Sequence, residues 1–380
     1  MSERKLTAWQ AAGLIDADTA ARIRAYEAQH SRPLALWAVI GIAALAIGLG
    51  VVLVVAANWD AIPGLVRLGI HFALMAALAG YLWRAGDELA GRQPWLHEGA
   101  LFVLALLGMA FLGHLGQVYQ TSSPLWQPLA LWLVLFAPVL LARGQSWLIA
   151  ALVFVVATYT AWDFARTFWD DVSTADALLI ALVTALTVLF APLGAWQRGR
   201  SARPDFWRRL EQLAVVYALG GASYAAIYAG VESFRGSGNE LVAIAPQAVR
   251  AAVAIGAGVV VALVRPTASG RAAGAMLGGT GLLMLLAYPL SGNQVVGALL
   301  FMALWTGVAA ASLQGGWRGA FQFAVAVIAL RLIVLSFELE DDLLTSGAGL
   351  IFSGVLILGV AWIALRVARR FAPPREGASA

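Results

Sequence analysis

The sequence predicts an all-α fold: a polytopic integral membrane helix bundle of about 12 transmembrane helices, N-in/C-in, with a small N-terminal cytosolic helical hairpin. Three observations predict it. Hydrophobic residues make up 61% of the chain and charged residues only 12%, half the roughly 25% that covers a soluble domain. The apolar residues are gathered into runs long enough to cross a bilayer. The basic residues fall overwhelmingly on one side of the scheme those runs define.

A span needs roughly 20 apolar residues, because ~1.5 Å of rise per residue must cover ~30 Å of hydrocarbon. The runs that meet this test are Leu34–Ala57, Val66–Trp83, Gly99–Val118, Leu125–Ala142, Trp147–Trp162, Ala175–Trp196, Leu210–Gly230, Ala245–Val264, Ala272–Leu290, Gln294–Leu313, Ala320–Phe337 and Leu343–Leu365. The fourth and fifth are short and separated only by Arg143-Gly-Gln-Ser146. That pair reads either as two spans or as one re-entrant hairpin. The first run follows residues that include Glu3, Asp16, Asp18 and Glu27 and is too long for a signal-peptide core, so it reads as a retained span.

Cytoplasmic loops hold the excess of Lys and Arg. With an even number of spans, all of the 25 basic residues except Arg67, Arg166, Arg235, Arg250 and Arg331 fall on the side of the two termini. That asymmetry puts both ends in the cytoplasm. Trp37, Trp59, Trp83, Trp126, Trp147, Trp162, Trp196 and Trp362 lie near run ends, where indoles favour the headgroup region. The basic balance therefore reports topology, and nucleic acid is not expected as a partner. Cysteine is absent, which excludes disulfides, thiolate metal sites and a cysteine nucleophile.

Three regions follow: residues 1–33 as a cytosolic helical hairpin, 34–366 as the transmembrane bundle, and 367–380 as a disordered cytosolic tail. In the first, Leu6–Ala12 reads as a helix, Gly13 as its left-handed C-cap and Asp16 as the cap of a second helix, Ala17–Gln29. A hairpin this small buries no stable core alone. It is expected on the membrane surface, on the inner loops, on a protein partner or on a second copy of the chain.

The pattern Leu6-x-x-Trp9, Gly13-Leu14-Ile15 and Ile23-x-x-Tyr26 precedes a Gly-rich span ending in Ala56-Ala57-Asn58-Trp59-Asp60-x-Ile62-Pro63, with Arg67 following. Gly116-Gln117-Val118-Tyr119-Gln120 closes the third span. Together these residues resemble a bacterial membrane-protein family, domain of unknown function 2157, over roughly the first 140 residues. The resemblance implies a multi-span membrane architecture and no particular activity.

Polar groups within hydrocarbon are expensive, which makes each one a candidate for function. Asn58, Trp59 and Asp60 end the first span; Arg67 and His71 share a face of the second; His114 and Gln117 share a face of the third, followed by Tyr119 and Gln120. These fit a substrate-binding pocket open to the outer side, with Arg67 on an anion and a histidine handling a proton. They fit equally a snorkelling arginine, a capping asparagine and a hydrogen-bonded core histidine. Arg250, at the outer start of the eighth span, reads as an anion contact or a snorkelling cation. Arg331 and Glu338 are seven apart on one face, and Arg331 is too deep to be a simple flank. Glu338, Glu340, Asp341 and Asp342 read as a solvated acidic turn, since no calcium-loop spacing is present. Tyr217, Gly221, Tyr224 and Tyr228 form a stripe best read as helix packing, and Gly274-x-x-x-Gly278 reads as a close helix contact.

There is no phosphate-binding Gly-x-x-x-x-Gly-Lys loop, no His-Glu-x-x-His and no Gly-x-Ser-x-Gly. No catalytic residue, metal or cofactor is expected. The readings, in order, are a carrier or permease for a small or amphipathic solute, a scaffold or sensor acting through residues 1–33, and a membrane-embedded enzyme on a lipid-linked substrate. The lipid bilayer is the one certain environment.

Overall fold

A computed structural model describes residues 9–30, 62–168, 173–230 and 240–339, with the isolated positions 6, 39, 46, 354, 355, 357–360, 362 and 366; at 24, 27–30, 240–243 and 336–339 only the backbone is described. Among the described residues every regular element is helical. The chain divides into two compact units, residues 1–67 and 68–380.

In the first unit a helical turn ends as the sequence predicts. Gly13 lies at φ +68°, its N–H donates to Gln10 O, and Leu14 N–H donates to Trp9 O. That pair of bonds is a Schellman stop, which needs the left-handed conformation glycine adopts without cost. Helix α1 (Ala17–His30) follows. Asp16 starts it by accepting from Thr19 N at 2.7 Å, and hydrogen bonding from the Thr19 side chain, then from its N–H, holds the carboxyl below the usual range.

Eleven further helices are α2 (Gly64–Arg92), α3 (Pro94–Val118), α4 (Trp126–Arg143), α5 (Trp147–Arg166), α6 (Thr174–Leu186), α7 (Phe190–Arg198), α8 (Pro204–Ala229), α9 (Glu240–Val264), α10 (Ala268–Ala287), α11 (Gln294–Gln314) and α12 (Arg318–Leu339). With α6 and α7 taken together, the described residues hold 10 helices long and apolar enough to cross a membrane. They correspond one for one to the second through eleventh predicted spans. The first and twelfth, Leu34–Ala57 and Leu343–Leu365, lie outside the described residues apart from isolated positions. The fourth and fifth runs are separate helices of 18 and 20 residues, each about the length a bilayer requires at ~1.5 Å per residue.

Local chemistry fixes the boundaries. Pro94 and Pro204 open α3 and α8, where a missing N–H costs nothing. Ser146 accepts from Ile149 N, Thr267 from Gly270 N, and Asn293 from Val295 N. Ser173 and Asp176 form a reciprocal capping box at α6. Between α6 and α7 the helix tightens to a 3-10 turn, Thr187–Leu189. Pro192 sits just beyond it; proline gives no N–H and its ring crowds the carbonyl four residues back, here Val188.

Within the second unit α8 is central, packing on α5, α7, α10 and α11. Two apolar clusters form around it, one reaching from Leu101 and Trp132 to Leu277, the other from Leu219 to Phe301 and Trp305. Two buried indoles find acceptors: Trp132 Nε1 donates to Ala105 O at 2.8 Å and Trp305 Nε1 to Ser223 Oγ at 3.0 Å.

The most extensive helix contact joins α9 to α10. A Cβ on Gly274 would lie 2.5 Å from Gly258 O, and one on Gly281 would lie 2.8 Å from Ala251 O. A Cβ on Gly278 would meet nothing within 4 Å, though its backbone N would lie 3.0 Å from a Cβ on Gly258. The close approach expected of Gly274-x-x-x-Gly278 therefore rests on Gly274 and Gly281, one heptad apart. The outward faces carry large apolar side chains: Trp83 is 82% exposed, Leu263 74% and Val134 71%. Hydrocarbon is the solvent that tolerates such faces on helices whose backbone bonds are satisfied internally.

Candidate functional site

Of the described residues expected to form an outer pocket, the structure brings His71 and His114 together. His71 on α2 and His114 on α3 have ring centroids 6.0 Å apart, and Phe111 stands edge-on to His71 at 5.5 Å. His71 Nε2 lies 3.0 Å from Leu107 O, so its ring is tied to the α3 backbone. His114 is buried. Arg67 serves its own connection: its Nε donates to Ile62 O at 2.7 Å. Asn58, Trp59 and Asp60 lie outside the described residues, as does the side chain of Glu338.

The Gly-Gln-x-Tyr-Gln motif is the end of α3. Gln120 lies at φ +51°, its N–H donates to Gln117 O, and Thr121 N–H donates to Gly116 O. This is a second Schellman stop, with glutamine in the position glycine prefers. Gln117, Tyr119 and Gln120 are exposed there. A non-glycine residue in the left-handed region costs roughly 1–2 kcal/mol, and strain of that kind gathers at functional positions.

Two candidate cations lie within spans. Arg331 is buried, 8% exposed, on α12; at ~1.5 Å per residue from Arg318 it sits roughly 20 Å along the helix. Arg250 on α9 is half-buried, with Nη1 3.4 Å from Gln247 Oε1. The tyrosine stripe divides. Tyr217 OH donates to Thr184 O at 2.9 Å, while Tyr224 and Tyr228 stack on each other at 5.7 Å with Tyr224 65% exposed.

The densest polar arrangement lies at the opposite end of the bundle, in residues that sequence reasoning did not single out. Glu211, about two turns into α8, has a side chain only 5% exposed. It pairs with Arg265 at the end of α9 and with Arg198 at the end of α7, Nη1 3.5 Å from Oε2. Arg265 also donates to Ser269 Oγ at 2.9 Å. Three helix ends are thereby tied to one carboxylate. Glu98, near the start of α3, accepts from Gln145 N at 2.7 Å and Ser146 N at 2.9 Å, the free amides at the head of α5. Arg203 reaches across from the α7–α8 connection to the carbonyls of Gly144 and Leu141, the latter at 3.0 Å. Burial of the Arg203 guanidinium lowers its pKa, against the raising effect of nearby Glu98. The signal that could have found this network was a carboxylate inside a predicted span, Glu211, and another at the edge of one, Glu98.

A cavity of about 290 Å³ lies between α10 and α11, lined by apolar residues including Met276, Leu283, Leu286 and Leu304 and left open by Gly279 and Gly307. Among the described residues no three His, Asp or Glu side chains are placed to hold a metal ion.

Long apolar helices with large exposed apolar side chains define the class: a multi-pass α-helical membrane protein. A family model described as "Predicted membrane protein (DUF2157)" matches residues 7–149, the stretch that carries the Trp9, Asn58-Trp59 and Gly116–Gln120 patterns. No curated protein and no solved structure matches the chain.

Proposed function

We propose that the protein is a bacterial inner-membrane carrier for a small or amphipathic solute, with both termini in the cytoplasm. The observation that carries this reading is Arg331. A guanidinium at the depth of the hydrocarbon is costly, and such groups mark solute or ion paths. Arg250 and the His71–His114 pair add polar groups on the same outer half of the bundle in this orientation. A cation and two imidazoles suit a solute with an anionic or hydrogen-bonding head. The apolar cavity between α10 and α11 suits its hydrocarbon part.

The experiment is charge movement or tracer flux in proteoliposomes, screened over small organic anions and amphipaths, for the natural chain and for Arg331→Gln. Flux in the first that is lost in the second, with both inserted equally, supports the carrier. Equal flux in the two removes Arg331 from the path, and no flux above protein-free vesicles rejects the reading.

A second reading has its own observation. In the hairpin unit Leu14 is 71% exposed and Tyr26 64%, which suits a scaffold or sensor that presents residues 1–33 to a protein partner. Deleting residues 1–30 would then remove the cellular phenotype and leave insertion intact; retained phenotype would end this alternative.

A further inference from the structure

Of the basic residues in the segment Arg198–Arg209, three are consumed within the protein. Arg198 pairs with Glu211, Arg203 spans the Leu141 and Gly144 carbonyls, and Arg208 pairs with Asp205 at 3.0 Å. Arg200 and Arg209 make no ion pair among the described residues. Each lies over an indole instead. The guanidinium carbon of Arg200 is 4.7 Å from the centre of the Trp196 ring, and that of Arg209 is 5.8 Å from the Trp147 ring. Trp196 is 42% exposed and Trp147 47%.

Both stacks lie at one end of the bundle, where Arg203 of the α7–α8 connection and Arg209 of α8 donate to the carbonyls of Gly144 and Gln145 in the α4–α5 connection. From this arrangement we infer a binding site for the headgroup of an anionic phospholipid, held by Arg200 and Arg209.

The physical argument has three parts. Exposed indoles settle at the boundary between headgroups and acyl chains, so the two guanidiniums on them lie at phosphate depth. Stacking leaves the guanidinium edge free. Among the described residues Arg200 gives one hydrogen bond, to Trp196 O at 3.3 Å, and Arg209 gives one, to Gln145 O, out of five donors in each group. A phosphate diester accepts from such an edge bidentately.

Exposed Leu193, one turn before Trp196 on α7, and Leu148, beside Trp147 on α5, then offer surface to the acyl chains. That apolar continuation favours a diacyl lipid over a free phosphate. The neighbouring carboxylates do not compete, since Glu211 and Glu98 are turned inward and Asp205 is paired. In the orientation proposed above this end meets the cytoplasmic leaflet, which carries anionic lipid and attracts basic clusters.

The test is native mass spectrometry of the full chain released from nanodiscs of mixed phosphatidylglycerol and phosphatidylcholine. The variants are Arg200→Gln with Arg209→Gln, and, as a control at the same end, Arg84→Gln with Arg92→Gln. Retained phosphatidylglycerol is expected to fall roughly tenfold in the first pair, as for loss of a charge-assisted contact, and to hold in the control. Equal retention in both pairs overturns the site.

The natural chain gives an independent reading: its thermal midpoint in neutral detergent should rise on titration with phosphatidylglycerol and stay unchanged with phosphatidylcholine. No rise overturns the inference even if the variant fails to fold. Inorganic phosphate at millimolar concentration should leave lipid retention unchanged, whereas full displacement would make the site one for free anions and overturn the lipid assignment. None of these readings depends on flux or on which leaflet the site faces.

Discussion

Glu211 shows how one side chain is asked to hold three helices. Its carboxylate is buried between Arg265 and Arg198, and the attraction offsets the desolvation of all three groups only while every partner is present. Removing one partner of a buried pair typically costs about 3–5 kcal/mol because the charge left behind has no compensation. Glu211→Ala is therefore expected to lower the thermal midpoint in detergent sharply, while the double variant with Arg265→Ala recovers part of the loss; an unchanged midpoint would show the triad to be solvated. Gln120 is the opposite case. Its left-handed backbone costs roughly 1–2 kcal/mol relative to glycine, so Gln120→Gly should stabilise the chain by about 1 kcal/mol in chemical denaturation. If the same change impairs the biological activity, the strain is retained for the glutamine side chain; if it leaves activity intact, the motif is a helix stop and nothing more.

At the scale of elements the decisive contact is α9 on α10. Without an apolar driving force between helices inside lipid, association comes from close packing and polar contacts, and small residues let the backbones approach. A methyl on Gly274 would meet the Gly258 carbonyl at 2.5 Å, whereas a methyl on Gly278 meets nothing within 4 Å. Gly274→Ala should destabilise by about 1–3 kcal/mol, as overpacking does, and Gly278→Ala should be neutral or slightly stabilising through its gain in helix propensity. Thermal unfolding of the two variants side by side distinguishes them, and equal effects would show that the helices can part. The 3-10 turn before Pro192 belongs to this scale as well: it tightens the helix locally between α6 and α7, which share one span.

For the whole molecule the prediction concerns sidedness. Fusion of a reporter that fluoresces only in the cytoplasm should give signal after Arg200 in the α7–α8 connection, and a periplasmic reporter should be active after Ser122 in the α3–α4 connection. The reverse pattern would invert the bundle and place the Arg–Trp stacks in the outer leaflet. The argument for the expected sense is the distribution of arginine along the sequence. Asp87 pairs with Arg143, Glu98 accepts from Gln145 N, Arg203 donates to Leu141 O and Arg265 pairs with Glu211, each joining different helix ends or connections.

The amino-acid sequence by itself determined the class of protein, the position of every described span and the helix stops at Gly13 and the start at Asp16. These are local or additive properties: hydropathy summed along a run, charge counted per loop, and cap chemistry within a turn. Only the tertiary structure decided which groups meet. That Glu211 draws in Arg198 and Arg265, and that Gly281 joins Gly274 at the close approach while Gly278 is spared, each depend on which faces of different helices are opposed. No periodicity along a single helix encodes that choice, because the bilayer accepts any apolar face equally and leaves partner selection to shape and paired charge.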